Sequence, residues 1–396
     1  MSAKASDQLR AVLSKGLPED KVLTEIKKII TSKEHTTHEY LEIVNEQDTK
    51  TRVLEYMDKG GEPGVFLGYR CLDREFMNHS MGYTMKLGLC TDWGGYPSMG
   101  KTTFLNQLLI NTSILHGWKH LMFVPDAGSE EEVYADLIWM HTGKTFDKIY
   151  PNRIAQSEAD EAYDFLRKYF YVLVEKDFKM ASYESILQSS LRLQREFTRD
   201  SKPNTPIENG YFQTLTIDSW KDIKKKYERG ESPTDYLARM LSRRNKLSAY
   251  LNIHSHIIIH PTKPDMESRG KPPSSYDYMG GSEWYNNAKS QMTYHRDKTQ
   301  QPSYRDPMLN IAEVYSLKQK PKVVGVEGMT NNFRYSITEN CFSELSIDGG
   351  SLKKARSRDV ILQEVNAYNA SNAKPDTRYE VDRTDYLTLN NEETPF

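Results

Sequence analysis

The chain has 396 residues, 27% of them charged, a formal net charge of −2 and a mean hydropathy of −0.72. Such a balance advertises no global basic field, so any nucleic-acid surface has to be local, and no apolar run approaches the roughly 20 residues of a membrane span. Three scattered cysteines, Cys71, Cys90 and Cys341, lack metal-ligand spacing and suit a reducing interior.

Residues 1 to about 60 read as charged helices, with apolar residues at three- and four-residue spacing in QLRAVLSKGL, EDKVLTEIKKIITS and HEYLEIVNEQDTKTRVLEYM. They carry no apolar core of a secretory leader, so none is expected. The run Gly60-Gly61-Glu62-Pro63-Gly64 breaks the pattern. We place a helical N-terminal region at 1–62, a core at 63–350 and a polar, flexible tail at 351–396.

Within the core, MKLGLC (85–90) reads as a buried strand and TTFLNQLLINTSILHG (102–117) as an amphipathic helix. KHLMFV (119–124), YFYVLV (169–174), YFQTLTID (211–218) and HSHIIIH (254–260) read as further strands. Helices are expected between them, at 130–143, about 182–198 and about 234–251. Such alternation implies an α/β fold with a mostly parallel sheet covered on both faces. Residues 291–345 look strand-rich in MTYHRD, LNIAEVYSLKQ, VVGVEG and FRYSIT, as antiparallel hairpins extending that sheet.

Between the first strand and the first core helix lies Gly95-x₄-Gly100-Lys101-Thr102, the P-loop pattern. A glycine-rich turn ahead of a helix leaves backbone N–H groups facing outward with the helix dipole behind them, a seat for a polyphosphate. Gly95, Ser98, Met99, Gly100, Lys101, Thr102 and Thr103 are the expected nucleotide-holding residues. Mg²⁺ needs an acid at the carboxyl end of a buried strand. Asp218, ending LTID, supplies one beside Thr102; the alternative is an Asp that merely caps the next segment. Asp126, ending KHLMFVPD, is the candidate to orient water. Glu130, Glu131 and Glu132 behind it suit a helix N-terminus instead. His260 ends its strand in the same topological position, where it either senses a terminal phosphate or is a satisfied strand-end residue. His254 and His256, earlier on that strand, read as structural.

PSMGKTTF, followed after its helix by a strand ending in an acid, resembles the RecA-type core of the hexameric replicative helicases. That family includes DnaB, Twinkle and the phage primase-helicases. The likeness runs from about residue 68 to 343. Gly68-Tyr69-Arg70-Cys71-Leu72-Asp73 resembles the segment before the first core strand, LTIDSW the Walker B strand, and IIIHPTKP the strand ending in a His or Gln sensor. Tyr278-Met279-Gly280-Gly281-Ser282 with NNAKSQMTYHRD resembles the segment that follows, and SLKQKPKVVGVEG the hairpin that reaches a neighbouring subunit.

The resemblance implies a ring-forming, ATP- and Mg²⁺-dependent DNA helicase that translocates on single-stranded DNA, with nucleotide bound between protomers. In that reading Asp126 stands where the family has Glu, and Lys318-Gln319-Lys320 where it has Lys-x-Arg. Lys318 and Lys320 would act on the adjacent subunit's ATP. Lysine keeps the charge of an arginine finger but loses its planar fork; such fingers contribute on the order of 10³–10⁵ in rate.

The family contacts DNA through loops after the Walker B and sensor strands. Here these carry Lys221, Lys224, Lys225, Lys226 and Arg229, then Lys263, Arg269 and Lys271. Cations beside Tyr and Trp suit a single strand; a solvated helix face is the other reading of KKKYER. The N-terminal region is expected to pack on the next protomer or to dock a primase or loader. The acidic tail is either frayed or a partner-recruiting end. A primase, a polymerase or a single-strand-binding protein are the expected partners beside a homohexamer. Location is expected in the cytoplasm of a bacterial or phage-infected cell, with an organellar matrix as the alternative. A RecA-type recombinase and a low-turnover P-loop loader are the competing functions.

Overall fold

The structure, a computed structural model, describes residues 46–61, 63–72, 82–175, 179–199, 212–263, 270–296 and 310–345. The readings for the first 45 residues and for the tail from 351 lie outside them. The strands are β1 (Cys90–Gly94), β2 (His120–Phe123), β3 (Phe170–Leu173), β4 (Thr214–Ile217), β5 (His254–Ile258), β6 (Ser290–His295), β7 (Ile311–Gln319), β8 (Thr330–Ser336) and β9 (Cys341–Glu344). The helices are α1 (Glu46–Lys59), α2 (Lys101–His116), α3 (Glu130–Thr142), α4 (Gln156–Tyr169), α5 (Tyr183–Arg199), α6 (Pro233–Leu251) and α7 (Ser282–Asn287).

The nine strands of the described residues join one sheet in the order β3-β2-β4-β5-β1-β6-β7-β8-β9. The six from β3 to β6 run parallel, and β7, β8 and β9 extend the sheet antiparallel. This is the RecA-like α/β core with antiparallel C-terminal strands. Alternate residues of each strand serve opposite faces. Met122 packs with the core of α2, α3 and α4, whereas Leu121 and Phe123 pack with that of α5, α6 and α7.

Four expectations need correction. The first core strand is Cys90–Gly94, not 85–90, because Thr91 and Asp92 are buried strand residues despite their polarity. Asp92 is tolerated there by an ion pair with Arg244 of α6. Second, α2 is buried nearly all round rather than amphipathic. Its outer side is covered too, with Asn111 Nδ2 donating to Leu67 O at 2.8 Å and the Phe342 N–H donating to Gln107 Oε1 at 2.8 Å. Third, β6 is no hairpin strand on both sides: it pairs parallel with β1 and antiparallel with β7. Finally, VVGVEG forms a 3₁₀ turn at Lys322–Val324 and the approach to β8, not a strand. Helix α4 is an addition; its narrow stripe of Ala159, Ala162 and Leu166 hides in a polar sequence. The predicted start of α3 is confirmed by a capping box, Ser129 N–H donating to Glu132 Oε2 at 2.7 Å.

Candidate functional site

Strand β1 delivers the chain to the carboxyl edge of the sheet, where Gly95 to Gly100 turn it into α2. The turn needs glycine twice for different reasons. Gly95 lies at φ 144°, and a Cβ on it would sit 2.3 Å from the Tyr294 carbonyl oxygen of β6. Gly100, at φ 105°, is the N-cap of α2 and no side chain caps that helix end, so its first-turn amides suit a phosphate. Ser98 also has positive φ, 58°. Ser98 is exposed, Met99 buried, and Thr103, in the first turn of α2, half-buried. Lys101 is 5% exposed; its Nζ donates to Gly95 O and Tyr96 O, each at 2.8 Å. The lysine therefore lies folded back over the loop, on the carbonyls of Gly95 and Tyr96.

From the neighbouring face of the site, β4 leads directly into Asp218, and the Thr102 hydroxyl donates to its Oδ2. Asp218 is buried, and desolvation pushes its carboxyl above the usual range against the pull of Thr102 and Lys101. A buried carboxylate touching a hydroxyl at the P-loop fits Mg²⁺, which takes few protein ligands and keeps water and phosphate oxygens. Among the described residues no cluster of three or more His, Cys, Asp or Glu side chains is placed to hold a metal.

Beside this pair, at the ends of β2 and β5, stand Asp126 and His260. Asp126 is exposed and its carboxylate is engaged by Lys221 Nζ, which also lies 3.8 Å from Asp222. That hydrogen bond to Asp126 raises the Lys221 ammonium. Asp222 in turn accepts from the Ser219 hydroxyl at 2.6 Å. His260 is half-buried, and burial with the Lys101 and Lys221 charges pushes it down to about 4. Near neutral pH it is an uncharged imidazole, able to donate to or accept from a phosphate without a cost in charge.

The hairpin lysines lie elsewhere. Gln319 of β7 pairs with Ser290, the first residue of β6, whereas Gly94 pairs with Thr293. Residues 318–320 therefore occupy the sheet edge opposite their own P-loop. Lys318 is buried rather than displayed. Its Nζ donates to Tyr285 O, and to Asn286 O at 3.3 Å, and lies 4.6 Å from the Tyr285 ring centre. Lys318 thus satisfies terminal carbonyls of α7. Lys320 is exposed.

The basic residues divide similarly. Lys224, Lys226, Arg229, Lys263 and Lys271 are exposed or half-exposed beyond the carboxyl ends of β4 and β5. Lys221 holds Asp126, and Lys225 lies 4.5 Å over the Trp220 ring with its Nζ on Trp220 O. Burial lowers Lys225 to about 8. Residues 223–232 form no helix; a 3₁₀ turn at Trp220–Asp222 leads into a stretch without regular structure that ends in a turn at 229–230. Arg269 lies outside the described residues.

Three features of the site escaped the sequence reading. Tyr278 packs on Gly94, so close that a Cβ there would meet its Oη at 1.9 Å. Tyr294 fills the space beneath Gly95 and Gly100. The Asp92–Arg244 pair holds β1 to α6 behind the loop. Gly94 beside a P-loop glycine was the available signal for the first; the others depend on long-range packing.

Fold and site together define a RecA-like P-loop core. No protein-family model matches the chain. It is 22% identical over 279 residues to the chloroplastic/mitochondrial Twinkle homolog of Arabidopsis thaliana, covering 69% of this chain and 36% of that protein. This chain therefore spans about a third of that relative's length. Among solved structures, a DnaB-like replicative helicase, whose structure describes its interactions with primase, superposes with a TM-score of 0.58 at 17% identity, covering 86% of this chain and 74% of that one. A second solved structure, of an ATPase domain, gives 0.58 at 16% identity over 77% of this chain and all of that one. The resemblance to the replicative helicases, with their RecA-like core, is borne out.

Proposed function

We propose that the chain is an ATP-dependent DNA helicase of the replicative type, a ring-forming motor that moves along single-stranded DNA. The observation that carries this reading is the convergence of Lys101, Thr102, Asp218, Asp126 and His260 at one carboxyl edge, with exposed cations on the two adjoining loops.

In this reading the amides of the P-loop and Lys101 hold the β- and γ-phosphates. Thr102 and Asp218 hold Mg²⁺, which when bound neutralises charge on the transferred phosphoryl group. Asp126 orients the attacking water once Lys221 releases its carboxylate. His260, uncharged, hydrogen-bonds the terminal phosphate and registers its loss. Lys224, Lys226, Arg229, Lys263 and Lys271 meet the DNA backbone; Arg269 joins them by its place in the sequence. Lys320 approaches a neighbour's nucleotide, since its own P-loop lies at the opposite edge. Helix α1 exposes Val53, Leu54, Tyr56 and Met57, at 59%, 46%, 63% and 70%, an apolar side suited to packing on the next protomer.

ATP hydrolysis measured with and without single-stranded DNA tests the reading. Stimulation by DNA, lost in Lys101→Ala, is expected. Hydrolysis indifferent to DNA would remove the helicase reading. It would favour a low-turnover P-loop assembly protein, to which the engagement of Asp126 by Lys221 gives some support.

A further inference from the structure

The segment 270–279 meets the P-loop through the side chain of Tyr278. This residue is 1% exposed, and its ring lies on Gly94, in the space that a side chain at that position would occupy. Its hydroxyl is 2.5 Å from Thr293 Oγ1 on β6, and Gly94 is the register partner of Thr293. Because the Thr293 hydroxyl donates to Pro273 O at 3.3 Å, the Tyr278 hydroxyl is the donor to Thr293. The bonds run in one direction, from Tyr278 through Thr293 to the backbone of the segment itself. Tyr278 also bridges Pro261, the residue after His260, and Met279 N–H donates to His260 O at 3.3 Å.

On its other side Gly94 adjoins Gly95, whose carbonyl accepts from Lys101 Nζ at 2.8 Å. A phosphate that draws this ammonium competes with the Gly95 and Tyr96 carbonyls for it. The Tyr278 ring occupies the space a Cβ on Gly94 would take, so it abuts the residue that leads into Gly95, and close packing of this kind passes a displacement on rather than absorbing it. Beyond the buried tyrosine the segment turns outward: Tyr276 is 60% and Met279 63% exposed, and Lys271 is exposed.

We propose that Tyr278 is a positioning residue that couples the P-loop to the segment 270–279, transmitting nucleotide occupancy through Gly94 and Thr293. The coupling rests on the reading of Lys101 as the phosphate-binding lysine. It makes Tyr278 the place where two sites bias one another, and it requires no contact between Tyr278 and nucleotide.

Hydrogen exchange of the amides in 270–281, with and without Mg-ATPγS, tests this on the full chain. In the unaltered protein nucleotide should change exchange there by on the order of tenfold. Tyr278→Phe keeps the ring and removes the donor. It should bind ATPγS as tightly as the parent while losing the nucleotide-dependent difference. Thr293→Val should lose the same difference from the other side of the bond, and the double variant should lose no more than either. A purely structural role would shift exchange equally in both states and leave the difference intact. If Tyr278→Phe does not fold, Thr293→Val decides alone. A preserved difference in the variants overturns the coupling. So does ATPγS binding by the unaltered protein with no change in 270–281, which leaves the P-loop reading standing. Failure to bind ATPγS at all overturns both.

Discussion

Asp218 is held in a conflict between stability and chemistry. Burial raises its carboxyl, so the folded protein binds that proton more tightly than the unfolded chain does. The stability this provides is present at low pH and lost as pH rises through the folded value. Asp218→Asn should therefore raise Tm near neutral pH by about 2–4 °C in a melting experiment. The same change should lower ATP hydrolysis by on the order of 10²-fold. His260 gives a second contrast. His260→Gln preserves a neutral hydrogen-bonding side chain and should keep DNA-stimulated hydrolysis, whereas His260→Ala should lose the stimulation with basal hydrolysis less affected. The pairing of Lys101, Thr102 and Asp218 was legible because loop spacing and a strand-ending acid are local signals. The inward turn of Lys318 was not, since it depends on the carbonyls of Tyr285 and Asn286, more than thirty residues away in sequence.

Strands and helices hold this edge together with buried polar groups as well as apolar ones. On the α2 side of the sheet Tyr83, Thr91 and His254 are linked at 2.7 and 2.8 Å, and His120 joins Thr214 and Ser113 at 2.7 and 3.0 Å. Burial lowers His120 to about 3, His254 to about 4 and His256 well below its ordinary value. With His260, these groups stay neutral in the fold and gain protons on unfolding. Their stabilisation is complete above the unfolded value near 6.5 and is lost as pH falls from there through the folded values. Denaturant unfolding at pH 7 and pH 5 should show a marked loss at the lower pH, reduced in His254→Asn. On the other face, Arg244→Met leaves Asp92 buried without its partner and should cost about 3–5 kcal/mol; adding Asp92→Asn should recover part of that. This pair explains the misplaced first strand. Two polar residues inside CTDWG read as a loop until their partners on another helix are known, whereas the apolar runs of β2, β4 and β5 were legible from sequence alone.

At the scale of the whole molecule, strand register sets Lys320 and the P-loop at opposite ends of the strands, and in the proposed ring one chain would then supply only half of the catalytic site. Hydrolysis per protomer should then fall on dilution. Lys320→Ala should lower kcat by about tenfold or more while leaving nucleotide Kd unchanged, as equilibrium binding would show. The parallel core was legible because strand and helix signals alternate. The antiparallel extension was read in outline, but the role of β6 as the hinge between the two patterns arises only from pairing across the sheet. Unwinding of a forked DNA duplex by the full chain with Mg-ATP tests the proposal most directly. ATP-driven strand separation, abolished in Lys101→Ala protein that still assembles, is the predicted result. Vigorous ATP hydrolysis with no strand separation would contradict it.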